Sequence, residues 1–239
     1  MRTLIIAICI TSFFSCKKEV DIHFWPIKGK GNSEINAVDL TNFIGVALKT
    51  NAEIYIDSIN TESIRIEAQN NIFKNLTIDI LGGVLEIGAK RPVTKCNKVK
   101  IYIGSNKLNS LQTEGSGLIS IANGYNINTL TTTVEGSGNI QIRNLHTYHI
   151  NSEISGSGNI TITGIADSQT IKIDGSGNYY GVDCESKTAD ITISGSGNCE
   201  VYVHDQITAK ISGSGDINYK GNPTLNISIS GSGHIKNVN

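Results

Sequence analysis

Seven segments of this chain repeat one pattern: EGSGLISI (residues 114–121), EGSGNIQI (135–142), SGSGNITI (155–162), DGSGNYYG (174–181), SGSGNCEV (194–201), SGSGDINY (212–219) and SGSGHIKN (230–237). Their Gly-Ser-Gly tripeptides begin 21, 20, 19, 20, 18 and 18 residues apart. So narrow a spacing marks a fold of stacked similar units. Two positions before the first glycine stand Thr113, Val134, Ile154, Ile173, Ile193, Ile211 and Ile229, and four after it stand Ile119, Ile140, Ile160, Tyr179, Cys199, Ile217 and Ile235. Polar residues fill the positions between. A period of two on both sides of a glycine corner means two short strands with alternating inward and outward side chains.

One such unit cannot bury its own apolar face. Stacked on its neighbours it can, because each strand pairs with its counterpart and the aliphatic side chains form internal columns. The expected fold is therefore all-β, a parallel β-helix (β-solenoid) rising about 4.8 Å per coil. The crossover preference of parallel strands predicts a right-handed one. The regular solenoid is expected over residues 105–239. Its corner glycines are Gly115, Gly117, Gly136, Gly138, Gly156, Gly158, Gly175, Gly177, Gly195, Gly197, Gly213, Gly215, Gly231 and Gly233. Glycine suits a sharp corner for two reasons, positive φ and the lack of a Cβ that would strike the next coil. The serines between them, Ser116 to Ser232, are expected to form a hydroxyl ladder. The next column, Leu118, Asn139, Asn159, Asn178, Asn198, Asp216 and His234, should form a ladder of amides. A glycine-rich phosphate loop would need a helix after it, whereas a strand follows each corner here.

Composition agrees. The 239 residues include 39 Ile against 12 Leu, and β-branched Ile favours strands over helices. A net charge of −1 with 38% hydrophobic residues excludes disorder and offers no reason to expect nucleic acid as a partner. Three prolines exclude collagen.

Residues 35–104 keep the alternation without the tripeptide, in AEIYID (52–57), SIRIEA (63–68), NLTIDI (75–80), GVLEIG (83–88) and VKIYIG (99–104). Turns are expected at Asn70-Asn71 and Gly82-Gly83, the latter as a hairpin. Degenerate coils and an antiparallel cap over the stack are both compatible with this irregular β segment.

The first fifteen residues, with Arg2 and an apolar run from Leu4 to Phe14, have the form of a secretory signal peptide. The ending Ser15-Cys16 before Lys17-Lys18-Glu19 resembles the lipobox of bacterial lipoproteins, although Phe13 stands where that family most often has Leu. The resemblance implies cleavage before Cys16 and lipidation of that residue, giving a membrane partner through a lipid anchor. Lys17 in place of Asp points to an outer-membrane lipoprotein, in the periplasmic or the surface leaflet. Residues 16–34 read as a tether, with Phe24 and Trp25 expected to dock on the body, the alternative being a place at the membrane interface.

The seven corners and the strands ahead of them resemble the putative autotransporter adhesin, head GIN domain family, over roughly residues 35–239. The resemblance implies a β-solenoid on a cell envelope with an adhesive or scaffolding role, and it brings no catalytic residues.

No cofactor and no catalytic activity are expected. Polysaccharide-active β-helix enzymes use clustered carboxylates in grooves, and coil lengths here vary too little to build groove walls. The best acidic cluster precedes the corner, where Glu114 and Glu135 sit one coil apart and could share a cation. Cys184 and Cys199 are expected to be buried thiols, with Cys184 in the inward column of Leu145 and Ile165. His146 and His149 read as surface residues. The candidate contact surface is the outward row Ser110, Thr131, Asn151, Thr170, Asp190, Thr208 and Asn226, whose hydroxyls and amides could bond a glycan or a protein ligand. Self-association of coils end to end is one alternative, since the last coil has no evident cap, and a polysaccharide-active β-helix enzyme is the other.

Overall fold

The computed structural model describes residues 25–239 and is a parallel β-solenoid of about six turns, 61% strand and 2% helix. The signal peptide, Cys16 and Phe24 lie outside the described residues. Each column read from the repeat is continuous. Thr113 pairs with Val134, and so on through Ile154, Ile173, Ile193, Ile211 and Ile229. The first six of these are 0% exposed. Beyond the corner, Ile119, Ile140, Ile160, Tyr179, Cys199, Ile217 and Ile235 align likewise. Full burial of one such aliphatic side chain contributes about 1.5–3 kcal/mol, so the columns are what hold coil to coil.

The corners stack as well, and the structure separates the two reasons for glycine. None of the fourteen has positive φ. The constraint is close approach: a Cβ on Gly156 would lie 2.0 Å from the Gly136 carbonyl oxygen, and one on Gly158 would lie 1.7 Å from that of Gly138. The serine column does not form a hydroxyl ladder. Its members face solvent or its margin, and they join through the backbone, Ser157 N–H donating to Gly136 O at 2.9 Å and Ser176 N–H to Gly156 O at 3.0 Å. The asparagine column does form its ladder. Asn159 donates to Asn139 Oδ1 from both its backbone N–H and its Nδ2, each at 3.0 Å, and Asn178 and Asn198 repeat the pattern. Asp216 and His234 continue it through their backbone N–H groups alone, at 2.9 and 2.8 Å.

Residues 25–104 supply both a coil and a cap. The elements are β1 (Ile27–Lys28), β2 (Ser33–Val38), β3 (Gly45–Leu48), β4 (Glu53–Asp57), β5 (Ser63–Gln69), α1 (Asn70–Phe73), β6 (Leu76–Leu81), β7 (Val84–Ala89), β8 (Val93–Lys95) and β9 (Lys100–Gly104). β3 and β4 make a coil next to the first Gly-Ser-Gly coil: Leu48 pairs with Thr113 and Glu53 with Leu118. Lys49-Thr50-Asn51-Ala52 therefore occupies the place of Glu114-Gly115-Ser116-Gly117. This corner manages without glycine because the layer beneath it opens. β7 pairs with β3 and β9 with β4, but the chain between them swings outward through β8 and leaves a cavity of about 400 Å³. Thr50, Asn51, Ile72, Leu76 and Val99 are among its lining residues.

Stacking order thus departs from chain order, with residues 43–57 inserted between 84–104 and 110–121. Beyond β9 the sheet ends in antiparallel strands, β5 against β9 and β2 against β5. On the other side the β6–β7 hairpin turns on Gly82 and Gly83, at φ 58° and 81°, the pairing a tight hairpin requires. Asn70-Asn71 begins a single helical turn, α1, rather than a simple turn. Residues 25–34 lie along this cap and do not hang free, since β1 pairs with β8 and β2 with β5. The Trp25 ring is 73% exposed and does not dock on the body.

Two irregular coils correct the inward assignments. The coil of Gly156 is one residue short, and Leu145 pairs with Gly164, which in turn pairs with Cys184. Gly164 (φ 137°) takes the inward place, where a Cβ would lie 2.0 Å from the Leu145 carbonyl oxygen. Ile165 is consequently turned out and 53% exposed, because a slip of one residue exchanges the faces of a strand. In the next coil Tyr179 replaces an inward Ile. Its ring fits because position 181 is glycine: a Cβ there would meet Tyr179 Cε1 at 2.5 Å. The smaller Cys199 follows in the same column, so volume is conserved across three coils. At the C-terminal end the columns stop uncovered, with Leu225 and Ile227 each 37% and Ile229 42% exposed.

Candidate functional site

Alternation that sends Ile inward sends a polar residue outward at every second position, and stacking brings those residues into line. Ser110, Thr131, Asn151, Thr170, Asp190, Thr208 and Asn226 are successive register partners. Parallel rows flank them, Thr129, His149, Ser168, Thr188, Gln206 and Thr224 on one side, and Gln112, Thr133, Glu153, Lys172, Thr192, Lys210 and Ser228 on the other. The face they build is flat, with two shallow depressions of about 200 and 240 Å³. Thr131, Asn151 and Thr170 border the first, and Thr170, Asp190 and Thr208 the second.

Several of its side chains bond to each other. His149 Nδ1 and Ser168 Oγ are 2.8 Å apart, and Gln206 Nε2 donates to Thr208 Oγ1 at 3.3 Å. Lys172 Nζ spans Asp174 at 2.7 Å and Glu153 at 2.9 Å. The hydrogen bond to Asp174, then that to Glu153, holds the Lys172 ammonium above the ordinary lysine range, and Lys172 in return lowers the Asp174 carboxyl. The row Ser110 to Asn226 itself is left largely free, presenting hydroxyl and amide groups one coil apart. Chemically it offers donors and acceptors at a fixed repeat to an extended polar ligand.

The pair Glu114 and Glu135 is bridged by an amide. Gln112 Nε2 donates to Glu135 Oε1 at 3.1 Å and to Glu114 Oε1 at 3.3 Å, while Lys49 Nζ lies 3.4 Å from Glu114. No cluster of three or more metal-ligating side chains occurs among the described residues. Cys184 and Cys199 are 0% exposed and unbridged, whereas Cys96 is exposed. Burial pushes the Cys184 thiol up to about 12 and Cys199 higher still, which leaves both protonated and unreactive at neutral pH.

A polar chain inside the solenoid escaped the sequence reading. Tyr179 Oη donates to Gln169 Oε1 at 2.6 Å, Gln169 Nε2 donates to Ser186 Oγ at 2.9 Å, and Ser186 Oγ donates to the Tyr202 carbonyl at 3.1 Å. The signal was present: Gln169 stands in the column of Leu130, Ile150 and Ile207. A buried polar residue in an apolar column demands partners, and the phenol of Tyr179 is one. Farther along, Thr132 Oγ1 and Ser152 Oγ are 2.8 Å apart, but the buried Thr113 Oγ1 has no partner among the described residues.

Comparisons with known proteins follow this geometry closely. The profile of the family described as "Putative auto-transporter adhesin, head GIN domain" matches residues 42–223. Among solved structures, a putative adhesin from Bacteroides fragilis NCTC 9343 superposes with a TM-score of 0.82 at 24% identity, covering 89% of this chain and 100% of that one. A protein from Parabacteroides distasonis ATCC 8503, described as a putative lipid binding protein, gives 0.75 at 26% identity, over 90% of this chain and 100% of its own. A putative adhesin from the same organism gives 0.71 at 22%, over 89% and 99%. None of the curated proteins matches.

Proposed function

The chain belongs to the auto-transporter adhesin head GIN domain family, and from that premise we propose that it is an envelope-attached binding protein that holds an extended polar ligand on the flat row from Ser110 to Asn226. The observation that carries this reading is the register: seven outward positions, each hydroxyl, amide or carboxylate, follow one another coil by coil. A rigid backbone pre-sets their spacing, so a ligand with a similar repeat gains several hydrogen bonds without an ordering cost in the protein. A glycan or an extended segment of a partner protein has that form. The reading includes no catalysis, in keeping with Glu114, Glu135, Glu153 and Asp174 engaged by Gln112, Lys49 and Lys172 and with Cys184 and Cys199 buried in the core.

Attachment is assigned to Cys16, lipidated after removal of residues 1–15, with the chain in the outer membrane. Among the described residues no helix is long and apolar enough to cross a membrane. Metabolic labelling with a fatty acid tests the anchor: label on the wild type and none on Cys16→Ala is expected, and an unlabelled wild type refutes it. A glycan and host-protein binding screen of residues 17–239 tests the face. Thr131→Lys, Thr170→Lys and Thr208→Lys together should abolish binding while leaving the urea midpoint in place. A ligand retained by the triple variant would remove the face from consideration.

A further inference from the structure

Cap and coils differ in charge. Residues 25–104 carry ten Lys and Arg against eight Asp and Glu, whereas residues 105–239 carry seven against eleven. In the cap, positive charge gathers where the chain enters. β1 lies along β8 with Lys28 in register with Lys95. Asn71 of α1 clamps this strand, accepting from Lys30 N–H at 2.9 Å and donating to the Lys28 carbonyl at 2.7 Å. Arg91 Nε donates to the Trp25 carbonyl at 2.9 Å, and the neighbouring Lys90 Nζ reaches the Lys74 carbonyl at 3.2 Å.

Lys28, Lys30, Lys74, Lys90 and Lys95 are all exposed, and none has a carboxylate partner among the described residues. Of the other described lysines, Lys49, Lys98, Lys107, Lys172 and Lys187 each do, and Lys100, Lys210, Lys220 and Lys236 do not. Like charges on paired strand positions repel, so an external anion would relieve the Lys28–Lys95 juxtaposition. Beside it the Trp25 ring stands 73% exposed. An amphipathic ring at the rim of a basic cluster is the composition of a membrane–water interface contact, and it favours a lipid surface over an acidic glycan.

We infer that this entry face, Trp25 with Lys28, Lys30, Lys74, Lys90 and Lys95, docks on the phosphate headgroups of an anionic phospholipid bilayer. Docking lays the cap against the membrane and turns the net-negative coils away from it, which leaves the row from Ser110 to Asn226 free for its ligand. The inference rests on the membrane-attached reading above, but its test does not use the anchor.

A chain of residues 17–239 lacks Cys16 and the apolar leader yet keeps every described element. It is sedimented with vesicles of phosphatidylcholine alone, or mixed with phosphatidylglycerol. Binding to the anionic vesicles only, weakened by added salt, is expected. Each lysine near such a surface is worth about a five-fold change in partition, so Lys28→Gln, Lys90→Gln and Lys95→Gln together should lower it roughly 100-fold. Trp25→Ala should lower it several-fold, and the control triple Lys210→Gln, Lys220→Gln and Lys236→Gln should leave it unchanged. A urea midpoint equal to wild type shows that the cap triple is folded. No preference for anionic vesicles, equal loss in both triples, or retention on heparin without vesicle binding overturns the inference. Vesicle binding by a chain whose wild type takes up no fatty acid removes the anchor and leaves the surface standing.

Discussion

The coils from Ser110 onward and the cap before them use the same alternating strands, and they part company at the corners. In the coils each corner rests directly on the one before, so that the backbone oxygen of one glycine fills the space of the next one's Cβ. In the cap, the corner at Thr50-Asn51 rests over a cavity, and the chain is free to carry side chains there. Close contact between layers, rather than the sharpness of the bend, decides where glycine is obligatory.

The strongest way to break the comparison is to add one methyl group. Gly156→Ala places a Cβ 2.0 Å from the Gly136 carbonyl oxygen, and a loss of more than about 3 kcal/mol in urea unfolding is expected. Gly115→Ala occupies the same place in the motif but faces Thr50 at 3.2 Å, where a small shift is enough, and it should cost less than about 1 kcal/mol. Equal effects would refute the close-approach account. The next largest difference concerns burial. Ile191→Ala, in mid-stack and 0% exposed, should cost about 2–5 kcal/mol, whereas Ile227→Ala in the same column is already 37% exposed and should cost about 1.

Alkaline pH sharpens the contrast between core and cap. The Cys184 thiol has a folded pKa of about 12 against 9.0 for the free group, so its contribution is fully present below pH 9 and is lost as pH rises toward 12. Within that window each such thiol removes at most about 1.4 kcal/mol per pH unit. Urea midpoints at pH 7 and 10 should therefore differ, and less so in Cys184→Ala. The smallest expected effect is a gain. Thr113→Val removes a buried hydroxyl with no partner among the described residues and should stabilise the chain by up to about 1 kcal/mol, while Thr132→Val removes a buried hydrogen bond to Ser152 and should destabilise it by a similar amount.

What could be read beforehand follows the same division. The columns through Ile154 and Ile160 and the amide ladder from Asn139 were legible because coil contacts repeat, and a repeated contact leaves a repeated residue. The row from Ser110 to Asn226 was legible for the same reason. The coil at residues 43–57 was legible only as one of two possibilities, degenerate coil or cap, because an open layer beneath Thr50 imposes no glycine. Ile165 misled because the one-residue slip before it is paired through Gly164, outside any motif.

The order of residues alone determined that strands stack in parallel around aliphatic columns, since a period of two and a corner repeated seven times admit few other ways to bury so much Ile. Only the tertiary structure decided that residues 43–57 slide between later strands, that β1 is pinned to β8 beside a cluster of unpaired lysines, and that Tyr179 is answered by Gly181 and Gln169. Those outcomes depend on which surfaces meet across distant parts of the chain, and contacts of that kind leave no periodic trace along it.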